Sequence, residues 1–147
     1  MNEGEPTATF TFNIEPLIDA PVPEGTLSLR ESNELWEKGA YFIDARYEEE
    51  FVAGHIQYAN LLPAQMFDED SSRAFAVTDT IPTDGTIVLY CVGGECDASK
   101  NTAAMLELLG YTDLRIMGAG YGDWVQAGFP IGTGLDGSGS GEEGGTP

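Results

Sequence analysis

The chain has 147 residues, 25 of them Asp or Glu against 6 Lys or Arg, which sets a formal charge of −19. With 41% hydrophobic and 10% aromatic residues it can bury a core, so its length predicts one ordered domain rather than a disordered polyanion. The six cations, Arg30, Lys38, Arg46, Arg73, Lys100 and Arg115, are too scattered for the basic patch that nucleic acid or an anionic membrane surface requires, and no stretch approaches the ~20 apolar residues of a membrane span.

The N-terminal MNEGEPTATF has neither the basic start nor the apolar run of a secretory signal. A cytoplasmic setting is expected, with an exported domain whose signal was removed as the alternative. Residues 1–25 mix Pro, Glu and Thr around Phe10, Phe12, Ile14, Leu17 and Ile18, the pattern of an arm laid over a domain. Ser28 and Glu31 then form a capping box, and Gly39 supplies a left-handed stop, which predicts a helix over 29–38. AYFIDA (40–45) is a short apolar run without helical period, the mark of a strand buried on both faces. YEEEFVAG predicts a short acidic helix ending at Gly54, and HIQYANLL (55–62) a second strand stopped by Pro63.

The stretch 63–84 is polar, with a helix expected near 71–77. TIVLYC (86–91) is the strongest strand, rich in β-branched and aromatic residues, and it runs straight into Cys91. VGGECD follows as a loop, then ASKNTAAMLELLG as a helix stopped by Gly110, LRIMG (114–118) as a strand and YGDWVQAG as a short helix. The last sixteen residues, 132–147, hold seven glycines and read as a flexible tail. Strands alternating with helices imply an α/β fold: a single open parallel sheet flanked by helices on both faces.

Chemistry is expected at the carboxyl ends of such strands, where a loop leads into a helix whose free amides face the ligand. Cys91 stands at such an end. The backbone N–H groups of residues 92–97 and the positive end of the helix beginning near Ala98 both favour a thiolate there, which makes Cys91 a candidate nucleophile. An inert buried cysteine is the alternative. The chain has only two cysteines, Cys91 and Cys96, too few for a disulfide-stapled scaffold. With the single histidine, His55, they would supply at most three soft ligands at a spacing unlike that of zinc pairs, so no metal site is expected. A Cys-x5-Arg phosphatase or arsenate reductase would need arginine six residues after Cys91, where Asp97 stands instead. Trp36 and Trp124 are expected to pack helices on the sheet.

The segment IDARYEEEFVAGHIQYANLLP, with Asp44 and Arg46 as Asp-x-Arg and Gly54-His55-Ile56 as Gly-His-Ile, resembles the first signature of the rhodanese family. IVLYCVGGECDASKNTAAMLELLGY followed by LRIMGAGYGDWVQAGFPI resembles that family's cysteine strand, loop, helix and closing pattern, the last carried by Gly120, Trp124, Gly128 and Pro130. The likeness spans residues 26–131 in order.

The resemblance implies a rhodanese-like sulfurtransferase without a cofactor, moving a sulfane sulfur from a small donor (thiosulfate, polysulfide or a low-molecular-weight persulfide) to a thiol, a cyanide-type acceptor or a protein acceptor through a Cys91 persulfide. Val92, Gly93, Gly94, Glu95, Cys96 and Asp97 would then form the anion-binding loop, with Asp44, Arg46, His55 and Ser99 in support. Arg46 is open to two roles, a cation at the entrance or the structural partner of a carboxylate or helix end. His55 is expected to hold the Gly-His-Ile turn rather than act as a base, and Asp44 to orient a loop by accepting backbone amides. The family also contains non-catalytic binding, persulfide-carrier and redox-sensing modules, which are the alternative. The loop departs from the common form: it has Glu95 and Asp97 and no cation before Lys100, which should raise the Cys91 pKa and disfavour a dianionic donor. Cys96 is the second departure, either a thiol that resolves the Cys91 persulfide or a core-facing cysteine at the helix start.

Overall fold

The computed structural model describes residues 15–93 and 96–135. Six strands run in the order β1 (Tyr41–Asp44), β2 (His55–Ile56), β3 (Asn60–Leu61), β4 (Thr86–Tyr90), β5 (Asp113–Ile116) and β6 (Ile131–Gly132). The helices are α1 (Glu15–Ile18), α2 (Leu29–Glu37), α3 (Glu48–Ala53), α4 (Met66–Glu69), α5 (Ser71–Thr78), α6 (Ala98–Leu108) and α7 (Tyr121–Gln126). Four strands form a parallel sheet in the order β3-β1-β4-β5. Its centre is β4, where Ile87, Val88, Leu89 and Tyr90 are all fully buried, as a continuous apolar run dictates.

The chain passes from β1 to β3 in one direction across the sheet and from β3 to β4 to β5 in the other. Right-handed crossovers therefore send α3 to one face and α5 and α6 to the opposite face. Side chains agree. Trp124 of α7 meets Trp36 of α2 edge-on at 6.2 Å and lies 6.0 Å from Phe42 of β1, so α2 and α7 share a face. On the other, Thr102 of α6 donates to the Leu62 carbonyl and the Tyr111 hydroxyl bonds the Thr78 and Ile81 carbonyls. Both tryptophans pack helices, their indole N–H groups bonded to the carbonyls of Gln57 and Pro130.

The capping box forms as read: the Ser28 hydroxyl accepts from Glu31 N and the Glu31 carboxylate from Ser28 N. The expected strand over 55–62 is instead two short strands in two sheets. His55 and Ile56 pair antiparallel with Gly132 and Ile131, whereas Asn60 and Leu61 extend the main sheet beside β1. Between them the backbone reverses at Tyr58, which sits at φ 74, and Ala59 N closes the turn on Ile56 O. A non-glycine residue is held there because its ring stacks on Trp36 at 5.9 Å. A further departure is α4, a single turn added before α5, with Asp70 ending the first helix and capping the second through Arg73 N. Residues 132–147 were read as tail, yet Gly132 is buried and paired; Phe10, Phe12 and Ile14 of the expected arm lie outside the described residues. The arm's Ile18 joins the core, and Leu27 bridges Met117 beyond β5.

Gly120 marks a close backbone approach, since a Cβ there would overlap the Val92 carbonyl. Gly120→Ala is expected to lower stability by about 1–3 kcal/mol through overpacking, read as a lower urea midpoint with an unchanged slope. Gly122→Ala is the control, because an added Cβ meets nothing within 4 Å there; a loss as large at Gly122 would refute the contact argument.

Candidate active site

The chain departs from β1 toward one face and from β4 toward the other, so the loops after these neighbouring strands part and leave a crevice at their carboxyl ends. A cavity of about 460 Å³ opens there, bordered by Arg46 and Tyr47 after β1, Gln65 after β3, Cys91 and Val92 after β4, and Asn101 on α6. Cys91, 3% exposed, sits at the strand end expected for it. Its sulfur lies 3.9 Å from the hydroxyl of Ser99, itself 1% exposed in the first turn of α6. A thiolate at this position receives the Ser99 O–H and the positive end of an eleven-residue helix.

Cys91 is joined to Cys96 by a disulfide, with Cα atoms 6.5 Å apart. Cys96 is half-buried and borders the cavity. Of the expected anion-binding loop, Val92, Gly93, Cys96 and Asp97 are described, while Gly94 and Glu95 lie outside the described residues. The loop is seated by glycines. Gly93 takes φ 112, and a Cβ on it would stand 2.8 Å from both Cα and N of Gly120; beside it Tyr121 N donates to Cys91 O at 3.1 Å. Asp97 is exposed and makes no side-chain cap on α6.

Of the two roles open to Arg46, the structure shows the partner of a carboxylate. Its guanidinium meets Asp44 at 2.7 Å, with side chains 7% and 0% exposed, and donates to Gly54 O at 2.6 Å. Its carbon lies 4.2 Å from the centre of the Tyr121 ring. Burial opposes the charge, but the hydrogen bonds and field of Asp44 outweigh it and hold Arg46 above its ordinary pKa. Among the described residues the Asp44 carboxylate accepts one backbone amide, that of Arg46, at 2.8 Å, so the loop they show it orienting is its own. It also accepts the Tyr90 hydroxyl at 2.9 Å, while that oxygen takes Ile56 N at 3.0 Å. Burial, helped by the Asp44 charge, pushes Tyr90 well above the usual tyrosine range, so it stays a neutral donor.

His55 is fully buried, stacked on Phe51 at 3.8 Å, with Nδ1 donating to Phe51 O at 2.8 Å and Nε2 without a partner among the described residues. Its hydrogen bond holds the α3–β2 turn and does not reach Cys91. Among the described residues no group of three or more His, Cys, Asp or Glu side chains is placed to hold a metal ion. Sequence reasoning missed Tyr90 and Tyr121. A tyrosine ending a strand of fully buried apolar residues needs a hydroxyl partner, which was the available signal for Tyr90. Gln65 and Asn101 carried no signal at all.

The family model of the rhodanese-like domain matches residues 28–127. The chain belongs to the rhodanese-like domain family. Protein HIGH ARSENIC CONTENT 1, mitochondrial, of Arabidopsis thaliana is 31% identical over 99 residues, covering 62% of this chain and 56% of that protein. The tRNA uridine(34) hydroxylase of Escherichia coli O81 (strain ED1a) is 35% identical over 81 residues, covering 54% of this chain and 23% of that protein. The chain thus spans about half the length of the first and under a quarter of the second. Among solved structures, the human single-domain sulfurtransferase shares the rhodanese fold at a TM-score of 0.56 and 24% identity, over 69% of this chain and 96% of that one.

Two expectations follow for the rhodanese site. Arg46→Ala strands the buried Asp44 carboxylate and should cost about 3–5 kcal/mol in urea unfolding; Arg46→Lys should not restore it, because an ammonium cannot reproduce the fork. Full stability of either variant would show that the pair does not organise the site. Ser99→Ala removes a donor to the thiolate, so the pH profile of Cys91 alkylation in the reduced Cys96→Ser protein should move to higher pH; an unmoved profile would deny Ser99 that role.

Proposed function

We propose that this rhodanese-like domain is a sulfurtransferase that carries a sulfane sulfur as a persulfide of Cys91. The observation that supports this reading is the placement of Cys91: a buried sulfur at the floor of the cavity, against Ser99 and the first turn of α6. The thiolate attacks the outer sulfur of the donor, the donor's sulfur–sulfur bond breaks, and the remainder leaves with the electron pair as sulfite or a thiolate. A thiophilic acceptor then takes the outer sulfur from Cys91. Both steps are nucleophilic displacements at sulfur, which helix-end amides and a hydroxyl stabilise without a resident metal or organic group.

Charge selects the donor. Arg46 borders the cavity but is committed to Asp44, and Glu50 stands on the cavity wall. A dianion such as thiosulfate or inorganic polysulfide therefore enters against an uncompensated field, whereas a low-molecular-weight persulfide carries at most one charge at the reacting end. An oxyanion substrate, which the name of the Arabidopsis relative raises, meets the same difficulty: the sixth residue after Cys91 is the exposed Asp97. The tRNA in the name of the bacterial relative is set against a chain of charge −19.

Intact-mass measurement tests the proposal on the reduced Cys96→Ser protein, treated in turn with thiosulfate, inorganic polysulfide and glutathione persulfide. The expected result is the gain of one sulfur atom, on the order of tenfold slower from thiosulfate than from glutathione persulfide, and no gain when Cys91 is also replaced by Ser. Absence of an adduct with every donor would overturn the proposal in favour of a non-catalytic module.

A further inference from the structure

We infer that Cys96 is the internal acceptor of the site, which makes the protein a sulfane-sulfur reductase that releases sulfide at the expense of a dithiol. This rests on the Cys91 persulfide reading and assigns what happens to that persulfide. The carrying observation is the disulfide itself. The partner of Cys91 is a cysteine five residues on, with a Cα separation of 6.5 Å, inside the range a disulfide spans. While that bond stands there is no thiolate to receive sulfur, so the described state must be reduced before any turnover.

The two sulfurs are placed unequally. Both line the cavity, but Cys91 is 3% exposed whereas Cys96 is half-buried. An incoming thiolate therefore reaches the Cys96 sulfur first. The sulfur expelled is then that of Cys91, the better leaving group, since Ser99 lies 3.9 Å from it and α6 begins beside it. Reduction through Cys96 thus regenerates the nucleophile in place. A disulfide serving only to brace the loop would have no need of the buried nucleophile as one of its ends.

The reaction closes as a cycle. The Cys91 thiolate takes the outer sulfur of a persulfide, breaking the donor's sulfur–sulfur bond and releasing the donor thiolate. The Cys96 thiolate attacks the inner sulfur of the Cys91 persulfide, forming the Cys91–Cys96 disulfide and expelling hydrosulfide with the electron pair. One thiol of a dithiol reductant attacks Cys96 and frees Cys91, and the second displaces Cys96 and becomes a disulfide with the first. In sum, persulfide and dithiol give thiol, hydrogen sulfide and the oxidised reductant. Two electrons pass from the dithiol to the sulfane sulfur.

The test is a single turnover. Wild-type protein is reduced, freed of reductant without air and mixed with one equivalent of glutathione persulfide. The expected products are one sulfide per chain and a protein lighter by two hydrogens, with sustained sulfide release when dithiothreitol and further glutathione persulfide are added together. Cys96→Ser, and Cys96→Ala as a second variant, should hold the added sulfur and release sulfide at least roughly tenfold more slowly. Wild-type protein that keeps the sulfur without forming the disulfide, sulfur that moves onto Cys96, or unchanged release by both variants would each overturn the inference. These outcomes leave sulfur uptake by Cys91 intact; loss of uptake in the Cys96 variants would instead strike the transfer reading beneath it.

Discussion

The buried pair of Asp44 and Arg46 is the interaction on which the rest of the site depends. Two opposite charges taken out of water cost several kcal/mol each, and their attraction offsets this only when the remaining donors and acceptors are satisfied. Here they are met from four directions. Asp44 accepts the Arg46 amide, the guanidinium and the Tyr90 hydroxyl, and Arg46 donates to the Gly54 carbonyl and lies over the Tyr121 ring. These residues close β1, end α3, end β4 and open α7. Removing either charge would leave the other buried and unmet, and removing the Tyr90 hydroxyl would take a donor from Asp44 and the acceptor from Ile56 N, so these segments are held in one arrangement. Gly54 belongs to the same device, because a Cβ on it would collide with the Tyr121 hydroxyl.

That arrangement positions the Cys91 sulfur without touching it. Cys91 follows Tyr90, whose hydroxyl is tied to Asp44, and its own carbonyl is held by Tyr121 N. Val92 and Gly93 then lie against the Ala119–Gly120 backbone, where no side chain separates Gly93 from Gly120. From the opposite face α6 is fixed by Thr102 to the Leu62 carbonyl, which brings Ser99 to the sulfur. The site is therefore a junction between the two faces of the sheet. Cys91 is local in sequence to β4 and α6, while its support comes from β1, α3 and α7.

This division explains what could be read from the chain alone. The capping box before α2, the apolar run of β4 and the strand–loop–helix setting of Cys91 are written in neighbouring residues, and each was legible. The break in 55–62 was not, since HIQYANLL contains no Gly or Pro and its reversal at Tyr58 is held by Trp36, from a distant helix. The role of Arg46 stayed undecided for a related reason. Its motif partner Asp44 is two residues away, but the hydroxyl that completes the cluster comes from Tyr90, 46 residues from Asp44. Likewise β6 is a two-residue strand whose identity exists only through its pairing with β2.

Electrostatics connects the architecture to the chemistry of the acceptor. Each arginine named in an ion pair is matched to a carboxylate: Arg30 with Asp19, Arg46 with Asp44, Arg73 with Glu48 and Arg115 with Asp113. Screening confines a field to roughly 8 Å at physiological salt, so the sulfur responds to the nearest groups rather than to the total of −19. Glu50 and a guanidinium already neutralised by Asp44 border the same cavity. An acceptor anion arriving from solvent meets the same repulsion as the donor did, and a second encounter would be as slow as the first. A thiol on the loop that carries the nucleophile escapes this penalty. It is already present, and an intramolecular partner in reach of its target acts at an effective concentration far above that of any solute. On the proposed reading, Cys96 is the acceptor that an acidic surface leaves most favourable, and the Cys91–Cys96 disulfide is the resting product of its use.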